Sequence, residues 1–400
     1  MIITRNLLGI IILLGILYLV SNNKGLINKK LIIKAFVIQF VVAFLLVKVP
    51  LGRIVIQNVS DGVSNVLNYG SQGLKFVFGS LADAAAPTGM VFGIQVLGNI
   101  IFVSALVGAL FYLGVIGFVV KIIGGAIQKV IGTSKVESFV AVANMFLGQT
   151  DSPLLVSKYL PKMTESEIML VLISGMGSMS VSVIMGYVGL GIPMEYLLIG
   201  STLVPLGSII ISKILVPEVE GVNEIDNLKI DNKGNNENLI SAISEGASAG
   251  LNMALGIGAV LIAIVALVAM VNGFLGIFGA SLEGILGYAF APIGYLMGVP
   301  SGEILLAGQL LGSKMALNEF VAFGQLGKVM STLDYRTGLM LAVSLTGFAN
   351  ISSMGICVSG ISVFCPDKRG QLSKLAFRGM IGGFCVSILS ALIVGLIIAI

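Results

Sequence analysis

A chain of 400 residues that is 56% hydrophobic and only 10% charged, with a formal charge of +4, lies far from the roughly 45–50% apolar and about 25% charged make-up of soluble domains. Its mean hydropathy of +1.05 places it in lipid. Histidine is absent and Cys357, Cys365 and Cys385 lack metal-ligand spacing, so zinc sites and histidine acid–base catalysis are excluded and the cysteines read as apolar filler; basic residues without interleaved aromatics exclude a nucleic-acid surface.

In chain order, hydropathy and charge breaks predict spans near residues 3–20, 31–49, 92–114, 166–188, 194–215, 250–274, 337–364 and 376–399, with room for crossings of about 20 helical residues. β-barrel alternation is absent, and a helix satisfies its backbone groups internally where no water can. Arg5 ahead of an apolar run has the look of a signal peptide. The run is long, however, and ends at Tyr18 to Asn23 without a small-x-small cleavage site, so it reads as the first span. Alternating sides gathers Lys24, Lys29, Lys30 and Lys34 with Lys121, Lys129, Lys135, Lys158, Lys162, Lys368, Arg369, Lys374 and Arg378. That side is the cytoplasm, which leaves both termini outside. Residues 54–79 and 115–131 mix apolar with polar positions and suit helices lying along the membrane surface. The acidic segment 217–238, with Glu218, Glu220, Glu224, Asp226, Asp231 and Glu237, reads as a cytoplasmic linker between halves.

Two stretches are too broken to be ordinary spans. Residues 134–161 hold Asn144, Gly148, Gln149, Thr150, Asp151 and Pro153 between short apolar arms, and residues 301–332 hold Lys314, Asn318 and Glu319 between similar arms. Each reads as a re-entrant helical hairpin, followed by a span that small polar residues interrupt: Ser174 to Ser180 in one half, Thr346 to Ser353 in the other. The offsets are alike, 28 residues from Thr150 to Ser178 (178 − 150) and 31 from Glu319 to Asn350 (350 − 319). Hairpin, broken span and plain span thus occur twice with opposite entry, which points to a secondary transporter with its site near the bilayer midplane. The expected fold is an all-α polytopic membrane protein of eight transmembrane helices plus two re-entrant hairpins in an inverted repeat. Residues 1–91 are expected to form peripheral spans and a surface helix, and 92–133 a scaffold span with an interfacial helix. Residues 134–216 form the first repeat of a transport unit, 217–238 the linker, 239–282 a second scaffold span and 283–400 the second repeat.

A carboxylate at bilayer depth costs roughly 2.5–3.5 kcal/mol, so Asp151 and Glu319 need a functional reason to be there. Ser134 and Glu137 have the spacing of a capping box. Lys314 reads as neutralising a nearby acid or snorkelling, with no ligand role.

The run Gly312-Ser313-Lys314-Met315-Ala316-Leu317-Asn318-Glu319-Phe320-Val321-Ala322-Phe323 resembles the signature of the concentrative nucleoside transporter family. Lys135-Val136-Glu137-Ser138-Phe139, Leu147-Gly148-Gln149-Thr150 and Gly347-Phe348-Ala349-Asn350-Ile351-Ser352-Ser353 resemble its other landmarks in the same order. The resemblance implies nucleoside import by sodium symport through an elevator-like movement of a homotrimer in the cell membrane, with no cofactor besides the coupling ion. It implies a nucleobase site of Gln149, Thr150, Asp151 and Val183, and a ribose site of Glu319, Asn350 and Ser353 beside Phe348. For sodium it implies Asn144 and Ser178 side chains with the carbonyls of Leu147 and Met179. Asp151 departs from the glutamate usual at its position, which leaves the base preference open. Proton coupling on the same fold is the alternative; an intramembrane hydrolase lacks a catalytic set, and a passive channel lacks charge rings.

Overall fold

A computed structural model describes residues 2–149, 152–219 and 236–400; Thr150, Asp151 and most of the acidic segment lie outside the described residues. The helices follow local signals. α1 is Ile2–Leu19. α2, Lys29–Val47, is capped by Asn28, whose side chain accepts from the Leu31 amide at 3.0 Å. α3, Pro50–Phe78, begins on a proline whose missing N–H costs nothing in the first turn. The short α4, Phe92–Gln95, leads into α5, Leu97–Tyr112, and α6 is Val115–Ile131. α7, Lys135–Ala143, starts with the expected capping box, Ser134 and Glu137 each bonding the other's amide. α8, Glu165–Gly177, has a second such box from Thr164 and Glu167; α9 is Val181–Gly189 and α10 is Met194–Leu215.

The second half holds α11, Leu239–Gly276; α12, Leu282–Leu296; α13, Ile304–Ala316; α14, Glu319–Val329; α15, Tyr335–Leu345; α16, Ile351–Phe364; and α17, Arg369–Ala399. Among the described residues, seven segments are long and apolar enough to cross a membrane. The expected crossing at 337–364 is the pair α15 and α16, each too short alone. α11 is longer than the predicted 250–274: its 38 residues reach about 57 Å at 1.5 Å per residue, well beyond the roughly 30 Å hydrocarbon core. α12 was not expected at all, being shorter than a span. The first hairpin also departs from two helical arms, because its second arm is built of 3-10 turns at Ser152–Val156 and Leu160–Lys162, where Pro153 and Pro161 remove the donors an α-helix needs.

A shift of about 170 residues carries α6 and α7 onto α12 and α13, and α8, α9 and α10 onto α15, α16 and α17, with the 3-10 turns standing where α14 lies: α8 and α15 begin at residues 165 and 335, α9 and α16 at 181 and 351. Packing follows the same division. α11 lies along α5, while α8 and α10 pack on α17, and α12 on α13. The most apolar window of α8–α9 is 94% buried within the monomer and that of α11 only 6%, so the broken helices are central and α11 is an outer wall.

Side chains lock the remaining spans onto this centre. Asn6 of α1 donates to Met297 O at 2.8 Å and accepts from Arg336 Nη2 at 2.8 Å, and Arg336 also donates to Gly298 O and, from Nε, to Gly395 O. Gln39 of α2 donates to Leu203 O at 3.2 Å and Ser390 Oγ at 3.3 Å. Where α7, α8 and α10 meet, buried Glu137 pairs with Lys213, which donates to Ser166 Oγ at 2.9 Å, and Ser134 Oγ donates to Glu167 at 2.8 Å. This buried ion pair ties α7 to α10, and removing one partner would leave the other charge uncompensated.

Candidate substrate and cation site

The site begins where two helices stop. After Gly177 the chain extends through Ser178 and Ser180 (ψ 169° and 149°) before α9 starts. After Leu345 it extends through Thr346, turns at Gly347 (φ +92°), and restarts at Asn350, whose side chain accepts from the Ser353 amide at 2.9 Å. The breaks meet: Phe348 N–H donates to Ser178 O at 3.2 Å. Each break leaves unpaired carbonyls on one half-helix and amides on the other, so partial charges of both signs are available deep in the protein without ionised side chains.

The second hairpin turns at Asn318, which caps α14 by accepting from Val321 N at 2.9 Å. Glu319 is the first residue of α14 and only 5% exposed. Its carboxylate accepts from Asn350 Nδ2 at 2.9 Å and from the Tyr187 hydroxyl at 3.3 Å. Tyr187 is held by the rings of Phe320 and Phe323, whose centroids lie 4.7 and 4.3 Å from its own. Opposite, Gln149 donates to Ser353 Oγ at 3.5 Å and accepts from Cys357 Sγ at 3.2 Å.

These groups surround a cavity of about 320 Å³. Gln149, Val183, Glu319, Phe348, Asn350 and Ser353 all line it, which brings together every described residue expected at the base and ribose sites. Met253, Ile257 and Leu261 of α11 form an apolar wall facing them. A mostly apolar space with a few convergent polar groups, of this size, suits a small ligand that must be oriented as well as enclosed. The carboxylate with its amide neighbour can take two hydroxyl donors and return one, while the glutamine amide can read a base edge.

The four residues expected to hold a cation, Asn144, Leu147, Ser178 and Met179, are all buried. The turn after α7 abuts the first break, since Phe146 O accepts from Val181 N at 3.1 Å. Asn144 Oδ1 accepts from Ser152 Oγ at 2.7 Å and its Nδ2 donates to Ser174 Oγ at 2.9 Å, which fixes the amide with the oxygen retaining a lone pair. Ser178 gives its own proton to Gly175 O at 3.1 Å and so keeps its oxygen available. Neutral oxygen donors fit a hard monovalent cation, and among the described residues no group of three or more His, Cys, Asp or Glu offers a metal site of another kind.

Two sequence readings need correction. Lys314 does not snorkel: it is fully buried, and its Nζ donates to Ser344 O, Thr346 O and Ser387 Oγ at 2.9, 2.6 and 2.7 Å. Cys357 is not mere filler, because its thiol meets Gln149. Tyr187 and Ser152 carry no signal in the motifs above, whereas Ser174, the first residue of the interrupted stretch, is the partner of Asn144. A tyrosine inside an apolar span needs a partner for its hydroxyl, and that rule would have flagged Tyr187. Cys357 lies four residues after Ser353, hence on the same helix face.

Residues 196–395 match the model of the Na+ dependent nucleoside transporter C-terminus, residues 8–81 that of its N-terminus, and residues 93–194 a nucleoside recognition model. The chain is 37% identical over 409 residues to the nucleoside permease NupC of Helicobacter pylori, an alignment spanning 98% of this chain and 97% of that protein. It is similar to CNTnw in an inward-facing substrate-bound state, with 37% identity, a TM-score of 0.94 and coverage of 100% of this chain and 98% of the other. A doubly substituted CNTnw in an outward-facing state gives 36% identity and a TM-score of 0.95, covering 100% of this chain and 99% of the other.

Proposed function

We propose, from the premise that this chain belongs to the Na+-dependent nucleoside transporter family, that it imports nucleosides by sodium symport through the cavity between its hairpins. It is a multi-pass transporter of the cell membrane, not an enzyme, and it works by secondary active transport between inward- and outward-facing states. The observation that carries the site assignment is Glu319, a buried carboxylate at the edge of the cavity with Asn350 at 2.9 Å. Such a pair suits the vicinal hydroxyls of ribose, and a site built to bond those hydroxyls rejects analogues that lack them. Gln149 and Val183 face the base, with Thr150 and Asp151 assigned beside them by resemblance alone.

Sodium is assigned to Asn144 Oδ1, Ser178 Oγ and the carbonyls of Leu147 and Met179, supported by their burial and all-oxygen chemistry. One sodium entering down about 100 mV contributes roughly 2.3 kcal/mol and a tenfold gradient about 1.4, enough for accumulation on the order of 500-fold. The eight-crossing inverted repeat carries residues 134–216 and 283–400 as a mobile unit against a scaffold of 92–133 and 239–282. The cavity's position between α11 and the hairpins supports that division. Three copies assemble, checked by the mass of the detergent-solubilised protein.

Uptake of labelled uridine into proteoliposomes tests the coupling. Uridine should concentrate under an inward sodium gradient and stay concentrated when a protonophore is added. Uptake that ignores sodium and collapses with the protonophore would transfer the coupling to protons.

A further inference from the structure

The 170-residue shift pairs individual residues as well as helices: Asn144 with Lys314 (314 − 144), Ser174 with Ser344 (344 − 174), Gln149 with Glu319 (319 − 149) and Ser180 with Asn350 (350 − 180). In the first repeat Asn144 bonds Ser174 on α8 at 2.9 Å, and in the second Lys314 bonds Ser344 on α15 at 2.9 Å. Both join a hairpin arm to the last turn of the half-helix before a break. They differ in charge.

The protonation of Lys314 follows from its partners. Ser344 O and Thr346 O are carbonyls and can only accept; Ser387 Oγ directs its own proton to Phe384 O at 2.9 Å and therefore accepts as well. Three acceptors at 2.6 to 2.9 Å require three N–H groups, and only the ammonium has them. The Phe384 ring lies 5.5 Å from the same nitrogen. A cation at the carboxyl end of α15 also answers the negative end of that helix and two of its unpaired carbonyls. Glu319, five residues on, supplies the matching charge within the same buried hairpin, whereas its counterpart Gln149 is neutral. At the carboxyl end of α8 the hydrogen bonds between described residues come from neutral groups, Asn144 Nδ2 to Ser174 Oγ and Ser178 Oγ to Gly175 O.

We propose that Lys314 is a built-in cation: its ammonium supplies, at the carboxyl end of α15, the positive charge that sodium supplies beside the carboxyl end of α8 in the first repeat. The ribose half of the cavity is then assembled at all times, while the base half is assembled only when sodium binds. The inference rests on the sodium assignment above, and its test separates the two.

Hydrogen–deuterium exchange on the full-length protein in detergent, without nucleoside, compares sodium chloride with potassium chloride. In the unsubstituted protein, peptides covering 144–149 and 177–181 should exchange about tenfold more slowly in sodium, while those covering 314–319 and 345–351 should be equally protected in both salts. In Lys314→Asn, which puts the first repeat's residue into the second, peptide 345–351 should exchange about tenfold faster in potassium and recover in sodium. Protection of 345–351 that rises with sodium in the unsubstituted protein overturns the proposal, and that comparison stands even if the variant does not fold. So does a variant that matches the unsubstituted protein in potassium, or one that loses protection and does not regain it in sodium, since a merely structural contact would behave in that way. If only peptides 144–149 and 177–181 ignore sodium, the sodium assignment fails and Lys314 keeps its role as the fixed cation of its own repeat.

Discussion

Phe348 and Ser178 are joined by a backbone hydrogen bond of 3.2 Å, so the two interrupted helices are tied to one another at their breaks. The second break, held by Lys314, thus anchors Ser178 from one side whether or not a cation is bound.

Gly347 makes that junction possible. Its φ is +92°, and a Cβ there would lie 2.5 Å from Gly177 O. Gly347→Ala is expected to destabilise the protein by at least about 2 kcal/mol, through backbone strain and the clash together, and to abolish transport. Thermal unfolding in detergent checks the first and uptake the second; an unchanged melting temperature would show that the crossing is looser than it looks.

Tyr187 donates to Glu319 from outside the ring of residues that line the cavity. Tyr187→Phe removes one donor to a carboxylate, worth about 1.5 kcal/mol, so uridine affinity should fall about tenfold with little change in melting temperature. Isothermal titration of the variant against the parent decides it, and equal affinities would leave Tyr187 as packing alone.

Asn144→Ala removes the only side-chain amide in the cation set and leaves Ser152 and Ser174 without their partner. Uridine affinity in the variant should no longer rise with sodium concentration. A sodium titration that keeps its parental slope would move the cation elsewhere.

Cys357 holds Gln149 Oε1 from behind, and Ser353 takes its Nε2. Cys357→Val frees the glutamine amide to turn over, so the ratio of cytidine to uridine affinity should change by about tenfold, whereas Cys357→Ser, which retains a donor, should preserve it. Identical ratios in all three proteins would remove Cys357 from base selection.

Much of this arrangement is visible in the sequence because lipid makes polarity conspicuous. Gly148, Gln149, Asn318, Glu319 and the serine-rich breaks stand out in apolar surroundings, and the cavity collects them. Helix ends are less legible: hydropathy marks only the part of a helix that meets hydrocarbon, so α11 and α17 begin at Leu239 and Arg369, ahead of the predicted 250 and 376. α12, a 15-residue helix containing Pro292, matched neither a span nor a polar loop. Lys314 was the hardest to read. Capping a helix from 30 residues away leaves no local pattern, whereas Ser134 and Glu137, three residues apart, do.

The most direct test is a cycle between protein and ligand: uridine and 2′,3′-dideoxyuridine, each titrated into the parent and into Glu319→Gln at saturating sodium. Removing the hydroxyls, or the carboxylate's charge, should each weaken binding by about 100-fold, and removing both should cost little more than either alone. Additive losses, or uridine binding unchanged in Glu319→Gln, would contradict a ribose site on Glu319.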